Sequence, residues 1–485
     1  MTLDLKWLAI SSLVALTTGC ISMSGIEPKA KTTQANTLDA GTAITTAPRI
    51  DWPTENWWKA YNDPQLDALI TQSISGSPTL RVAQARVNLA QAFADSMHAE
   101  TSPNVGADAS SARERFTELQ FIPPPWAGHS DWNNKATASL SYDLDLWGRQ
   151  ESIWHASLNE THAVSIEVQQ VKLELVTALV RNYTQLAMQF TLRDIAEEQL
   201  NEVKQRVSIA RRSMAAGLGT EMEVSEAETP LPLARAQIEA IDSRISLLRN
   251  QLAALSGQGP GAGEKIDRPK LALAASFGLP DQLPANLIGR RPDVLAYRFR
   301  VEAAQDNIAG AKAEFYPNIN LLAFIGFQAL GFGQLISNAA SIAGVGPAIS
   351  LPIFDGGRRR GNLSAKTANY DITVENYNTV IVQALQDVSD QLVVLQSNTK
   401  QRREAEQALA SAQKAHSLAT TSYRAGLSNF QHVLDTHSIV FRQEEHIAQL
   451  QAVQLDTYAA LMRALGGGTV GSDSMNVAAK AKKQP

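Results

Sequence analysis

The sequence contains one cysteine among 485 residues, which excludes a disulfide bond within the chain. It also lacks a surplus of positive charge, because its formal net charge is −5. No general attraction to nucleic acid is therefore expected. Hydrophobic residues make up 44% of the chain and charged residues 19%, which is enough for a large core and for more than one domain.

The common catalytic and metal-binding patterns are missing as well. No pair among the eight histidines has the HExxH spacing. His432 and His437 are five residues apart, about 140° around a helix, so they do not share a face. Asp387 and Asp390 have helical spacing, which favours a solvated or pore-lining face over an acid–base pair. We expect no catalytic residue, cofactor or metal, and an enzyme on a lipid-anchored helical scaffold is the less favoured alternative.

Glycine and proline are absent from two long stretches, residues 149–216 and 362–425. Both stretches are rich in Ala, Leu, Gln, Glu and Arg, which are strong helix formers. Each stretch predicts one very long helix, on the order of 100 Å if unbroken, because an α-helix rises 1.5 Å per residue.

The single cysteine stands directly after a secretory signal, MTLDLKWLAISSLVALTTG. Its apolar run is too short to span a membrane as a helix. The residues before Cys20 resemble a bacterial lipobox, although Thr17 stands where leucine is usual. We expect residues 1–19 to be removed and Cys20 to carry the lipid, and Ile21 beside it favours the outer membrane. The alternative is an ordinary signal in which the cysteine has no role.

The rest of the chain divides into two halves of matched sequence, residues 51–256 and 278–466. A Gly-rich linker at 257–277 joins them. Residues 20–50 are small and polar, so a flexible tether is predicted there. Residues 467–485 are predicted to be disordered.

Each half begins with a similar helix. In each half a proline, Pro78 or Pro292, is followed by Arg-Val-x-x-Ala-Gln and then, at identical spacing, by a Pro-Asn pair. The two pairs are Pro103-Asn104 and Pro317-Asn318. Proline suits the first turn of a helix and ends a helix later on. Each copy therefore predicts a helix of about six turns, and the agreement without gaps indicates an internal duplication.

A β-hairpin is predicted after each of these helices. The stretch KATASLSYDLDL (135–146) alternates apolar and polar residues, and a period of two indicates a strand. A strand of about ten residues with one apolar and one polar face is typical of a transmembrane barrel. The uncharged stretch from Phe315 to Phe354 matches this charged one, which argues against a membrane helix. The predicted strands are about 105–116, 135–145, 319–329 and 344–354.

Glycines mark the sharp turns of both halves, since glycine adopts backbone conformations that other residues avoid. They are Gly148, Gly356 and Gly357 after the strands, and Gly217 and Gly426 in the Ala-Gly-Leu tips that end the long helices. A return helix follows each tip. Pro230 and Pro232 lie early in the first return helix and predict a kink there.

Four strands cannot close a barrel, and open strand edges are not tolerated in lipid. A symmetric oligomer is therefore expected. A purely structural coiled-coil spacer is a third alternative, but it leaves the hairpins unexplained.

Three phrases carry a resemblance to a known family. They are WWKAYNDPQLDALI (57–70), LPANLIGRRPDVLAYR (283–298) and LPIFDGGRR (351–359). With the two Ala-Gly-Leu tips, they resemble the TolC/OprM family of outer-membrane factors, in its NodT-type lipoprotein branch. The similarity covers about residues 50–465, nearly the whole mature chain.

The resemblance implies an α+β fold and a homotrimer, with a transmembrane β-barrel of four strands per chain continued by a long periplasmic α-helical barrel. It implies a channel in outer-membrane lipid that passively conducts cargo from an inner-membrane pump of the RND type and a periplasmic adaptor protein. The exit duct of a type I protein secretion system is the alternative within the family. The sequence does not name the cargo.

The resemblance also implies a periplasmic gate in the second tip, GLSNFQHVLD. Asp435 takes the position of an aspartate ring. His432 falls where TolC has another aspartate, and Gln431 falls where OprM-like channels have an apolar constriction. Gln431 and Asp435 are four residues apart and share a helix face. The alternative is that all three are exposed polar residues at the end of a helical hairpin.

Overall fold

The computed structural model describes residues 22–39, 41–119, 122–274, 277–280 and 289–468. The predicted signal peptide, Cys20 and all but the first two residues of the predicted tail lie outside these ranges. The chain forms two compact units. The first consists of the described residues up to Thr32, together with Arg86–Ser165 and Ala296–Asn378. The second consists of the other described residues.

Helices and strands follow in the order that the duplication predicts. The helices are α1 (Gly41–Thr45), α2 (Pro64–Gly76), α3 (Pro78–Ala99), α4 (Arg149–Ala215), α5 (Glu221–Glu228), α6 (Pro230–Leu255), α7 (Pro260–Gly263), α8 (Pro292–Ala313), α9 (Arg358–Arg424) and α10 (Phe430–Ala464). The strands are β1 (Asn104–Arg115), β2 (Ser130–Asp143), β3 (Asn318–Leu330) and β4 (Ser341–Ser350). Short 3-10 turns lie at Ala35–Thr37, Trp57–Tyr61 and Asn338–Ala340.

The two longest helices, α4 and α9, each have 67 residues. α4 lies within the first stretch without glycine or proline, whereas α9 begins four residues before the second stretch and includes Gly361 in its first turn. Gly148 and Gly356, which precede these helices, have φ of +67° and +64°. Gly217 and Gly426, which follow them, have φ of +73° and +74°. All four lie in the left-handed region, which glycine adopts without strain.

The first unit contains one sheet of four strands in the order β1-β2-β3-β4, and every neighbouring pair is antiparallel. β1 and β3 begin at Asn104 and Asn318, directly after the prolines that end the preceding helices. The central pair joins the two halves of the sequence, because β2 of the first hairpin pairs with β3 of the second.

Two predicted strand boundaries are wrong. β2 begins at Ser130 instead of residue 135, and its first residues pair with the outer end of β1. These residues are polar apart from Trp132, so their composition resembled a loop. β4 runs from Ser341 to Ser350, earlier than the predicted 344–354. It includes Pro347, which is tolerated because β4 is an edge strand of the sheet.

The N-terminal segment differs from the predicted flexible tether. The backbone amides of Lys29 and Ala30 both donate to Oδ1 of Asp371 in α9, at 2.9 Å each. Met23 and Ile26 pack against a small apolar cluster that includes Leu363, which is fully buried. Residues 22–31 therefore lie along α9 within the first unit, because Asp371 and this cluster supply specific partners.

The first return helix is divided where the two prolines were expected to disturb it. α5 ends at Glu228, and α6 begins at Pro230. Thr229 between them keeps helical backbone angles, with φ −51° and ψ −46°. The second return helix, α10, continues for 35 residues without a break.

A buried arginine lies at the start of α8 in the second unit. The Arg291 guanidinium donates to both carboxylate oxygens of Asp293, to Oδ2 of Asp387 at 3.0 Å and to the carbonyl of Ala464 at 3.2 Å. Burial works in the opposite direction, but the bonds to Asp293 and Asp387 raise the pKa of Arg291. Arg291 thus links the start of α8 to α9, through Asp387, and to the end of α10. Asp387 was expected on a solvated or pore-lining face and is instead an ion-pair partner of Arg291.

Within the described ranges, no helix combines the length and the apolar character needed to cross a membrane.

The close approach of β2 and β3 at Gly326 generates a first prediction. A Cβ atom at Gly326 would lie 2.1 Å from the carbonyl oxygen of Ala136 and 2.7 Å from Cα of Thr137. Gly326→Ala must therefore push the two backbones apart, and we expect a marked loss of folded protein in the membrane fraction. The matched control is Gly346→Ala in β4, where a Cβ meets nothing within 4 Å. Equal yields of the two variants would contradict the observed pairing.

Candidate functional site

The sheet has one apolar face that extends over all four strands. The register brings Ala107 of β1 beside Ala138 of β2, which lies beside Ile325 of β3 and then Ala343 of β4. The neighbouring rows of this apolar face hold Val105, Leu140, Ala323 and Val345, and Ala109, Ala136, Phe327 and Ser341. Val345 is 88% exposed and Ile325 67%. So much exposed apolar surface indicates a lipid environment.

The opposite face, called the lining face below, carries most of the polar side chains of the sheet. One row runs from Asp108 through Thr137 and Gly326 to Ile342. In the neighbouring rows, the first hairpin contributes six further residues to the lining face: Asn104, Gly106, Ser110, Lys135, Ser139 and Ser141. The alternation predicted for the first hairpin is thus present and is aligned across both hairpins. A face of this kind suits contact with water inside a barrel.

Aromatic pairs lie near both ends of the sheet. The rings of Trp132 and Phe332 are 5.6 Å apart at the end where the hairpins turn. At the end nearest the helices, the rings of Trp147 and Tyr316 stack at 4.7 Å, and the Trp147 indole donates to the carbonyl of Pro317 at 2.8 Å. Aromatic residues at both ends of an apolar band are typical of membrane interfaces.

The second tip places the three predicted gate residues on the exposed first turns of α10. The Asn429 side chain caps the helix by accepting from the backbone amide of His432 at 3.0 Å. The Gln431 side chain donates to Oδ1 of Asp435 at 2.6 Å. Gln431 and Asp435 therefore act as one unit on one face, and His432 lies on a different face because it is a single residue further along.

A contact between two histidines, which sequence reasoning missed, lies about two helical turns beyond this tip. The rings of His416 in α9 and His437 in α10 stack with their centres 4.1 Å apart. His437 also bonds to the carboxylate of Glu202 in α4, and His416 contacts the carbonyl of Val433 at 3.3 Å. Three helices thus meet behind the exposed gate residues. No spacing in the sequence indicates this contact, because each residue belongs to a different helix.

The same region contains a partly buried carboxyl group. Burial, and then the neighbouring carboxylate of Glu198, raise the pKa of Glu444, while His437 acts in the opposite direction. Among the described residues, no group of three or more His, Cys, Asp or Glu side chains could hold a metal ion.

The first tip has a different local design. Thr220 and Glu223 form a reciprocal capping box at the start of α5, and Arg211 bonds to Glu228 at 2.6 Å. Leu218 in this tip is 83% exposed, and Leu427 in the second tip is 82% exposed. Each tip therefore presents one leucine to its surroundings.

The chain matches a known family in both halves. The family model described as "Outer membrane efflux protein" matches residues 69–258 and 283–467. The fusaric acid resistance protein FusA of Burkholderia cepacia is 42% identical over 375 residues, which are 76% of this chain and 69% of FusA. The multidrug resistance outer membrane protein MdtP of Escherichia coli K12 is 31% identical over 432 residues, 86% of this chain and 87% of MdtP.

Solved structures agree with these relatives. The outer membrane protein VceC of Vibrio cholerae superposes with a TM-score of 0.80 at 33% identity, covering 86% of this chain and all of VceC. The outer-membrane channel OprN also gives 0.80, at 27% identity, covering 91% of this chain and 99% of OprN. The predicted fold class and outer-membrane location are confirmed, and the chain belongs to the outer membrane efflux protein family.

Proposed function

We propose that the chain is the outer-membrane channel of a tripartite efflux system and conducts its cargo passively to the exterior. The observation that carries this proposal is the sheet, which is apolar on one face across four strands and polar on much of the other. Such a sheet separates lipid from water when it closes into a barrel. The family and the names of the resistance proteins among the relatives support efflux.

Closure requires further copies of the chain. In the described part of the protein, β1 and β4 each have one edge without a neighbouring strand. The amides and carbonyls of these edges need hydrogen-bond partners in lipid. Pairing β4 of one copy with β1 of the next around a threefold axis closes a barrel of twelve strands, three times the four of one chain. The functional assembly is therefore a homotrimer.

Its partners are a periplasmic adaptor protein and an inner-membrane pump of the RND type. The two helical tips, each with an exposed leucine, are the surfaces available to such a partner. Small organic molecules are the favoured cargo, because FusA and MdtP are named for resistance to such compounds. The exit duct of a type I protein secretion system is less well supported for the same reason.

The trimer generates a test of the whole proposal. Purified protein in detergent should have the mass of three chains plus its micelle, and it should form ion-conducting channels in planar bilayers. Light scattering with a refractive-index detector measures the first property, and single-channel recording measures the second. A folded sample that stays monomeric, or a trimer that never conducts, would refute the proposed function.

Lipidation of Cys20 is a separate prediction. Cys20 lies two residues before the described segment that is fixed along α9. Cells that express the wild type should incorporate radioactive palmitate into the protein, and Cys20→Ser should abolish the label. We expect only partial loss from the outer membrane, because the barrel also holds the protein there. Label retained by Cys20→Ser would show that the acyl chains are attached elsewhere, and a wild type without label would show that the protein is not acylated.

The gate at the second tip is the third element of the proposal. Threefold symmetry brings three Gln431–Asp435 units toward one axis, where the carboxylates attract cations and narrow the passage. We expect Asp435→Ala to open the channel more often and to reduce its preference for cations by about tenfold, the lower end of the effect of a focused field. Gln431→Ala/Asp435→Ala should conduct more than the single variant, because it also removes the Gln431 side chain that still narrows the passage in Asp435→Ala.

Single-channel currents under a salt gradient give both the conductance and the ion preference. Glu221→Ala is the matched control, since Glu221 is an exposed carboxylate in the first turn of the helix at the other tip. If Asp435→Ala and Glu221→Ala behave alike, the three residues are ordinary solvated side chains and the gate lies elsewhere.

A further inference from the structure

The lining face changes its chemistry between the two hairpins. On β1 and β2 its residues are small or polar, such as Asp108, Ser139 and Ser141. On β3 and β4, in the same rows, stand Leu322, Phe324 and Ile342, accompanied by glycines. Strict polarity would be expected if the lumen only had to hold water, so an apolar sector on this face needs another explanation.

Phe324 is the centre of this apolar sector. Its row runs from Gly106 through Ser139 and Phe324 to Gly344. The phenyl ring lies over Gly344, because a Cβ atom there would be 2.6 Å from Cε1 of Phe324. The next position on the lining face of β3 is Gly326, so no bulky side chain stands beside the ring on that side either. The residue is nevertheless 44% exposed.

A ring that rests on glycine and stays open on its other side is a platform for a second flat group. Aromatic rings prefer offset-stacked or edge-to-face contacts with other rings. The neighbours on the first hairpin are polar: Ser139 is paired with Phe324 itself, and Asp108 stands in the adjacent row. With strands about 4.8 Å apart, β1 is about 10 Å from β3. One small molecule can therefore touch the ring and the polar side chains together.

We propose that Phe324 is a contact site for the aromatic part of an amphiphilic cargo that passes through the barrel, with the polar part of the cargo on the side of the first hairpin. This inference rests on the proposed function, since it assigns the lining face to the lumen. A trimer carries three such sites, separated by polar sectors. Cargo with a flat ring then stays in the barrel longer than an ion of similar charge.

Single-channel recording in planar bilayers tests this site. Ethidium, a flat aromatic cation, is the probe, and tetraethylammonium, a cation without a ring, is the matched probe. In wild type we expect transient blockades by ethidium alone. Phe324→Ala should shorten the ethidium blockades by about two- to thirteenfold, the range that corresponds to the strength of aromatic pairs. Phe324→Tyr should keep them, because its ring remains.

Phe327→Ala is the protein control, because Phe327 lies on the same strand but on the apolar face. It should leave the ethidium blockades as long as in wild type. Phe324→Leu keeps an apolar side chain without a ring and replaces Phe324→Ala if the smaller side chain prevents folding; its blockades should also be short.

Three outcomes overturn the site: no ethidium blockade in a conducting wild type, blockades of unchanged length in Phe324→Ala or Phe324→Leu, and equal shortening in Phe327→Ala. A wild type that conducts no ions refutes the proposed function instead, so the two failures are distinguishable.

Discussion

Satisfaction of the backbone hydrogen bonds at the edges of the sheet is the constraint on which the rest of the protein depends. Four strands supply three paired interfaces and leave the outer edges of β1 and β4 open. An open edge cannot remain in lipid, so one chain alone cannot form a complete membrane-spanning barrel. The duplication follows from the same constraint, because two hairpins per chain let a small symmetric number of copies complete the barrel.

Duplication keeps the backbone plan of each half and leaves the side chains free to differ. Both halves use a helix ended by Pro-Asn, a hairpin, a helix of 67 residues and a glycine turn. The lining face nevertheless differs in chemistry between the two hairpins. The first hairpin places Asp108 and Lys135 on this face, whereas the second places Leu322 and Phe324 on it, in other rows. The apolar face must stay apolar in both halves because it faces lipid, so the variation is confined to the lumen.

Features that depend on local chemistry could be predicted from the sequence. The absence of glycine and proline predicted α4 and α9, and alternation predicted that the strands would have two unlike faces. The spacing of four residues predicted the common face of Gln431 and Asp435. That Gln431 and Asp435 form a gate stays a prediction.

Features that depend on distant pairing could not be predicted. The register that brings Ser139 beside Phe324 joins strands from different halves. The stacking of His416 on His437 joins two helices, and Glu202 adds a third. The prediction of a flexible tether at the N-terminus was wrong for the same reason. The small polar residues of this segment indicated a tether, whereas two of its backbone amides donate to Asp371, which lies far along the chain.

The division of the first return helix at Thr229 makes the two tips mechanically unequal. Pro230 and Pro232 have no amide hydrogen, so the carbonyls of Glu226 and Glu228 lose the partners that a continuous helix would give them. Two missing bonds within one turn lower the stiffness of the helix at that level, whereas α10 keeps its bonds over 35 residues. A force applied at the first tip is therefore expected to bend the return helix near Thr229. A force applied at the second tip is expected to displace α10 as one rigid helix.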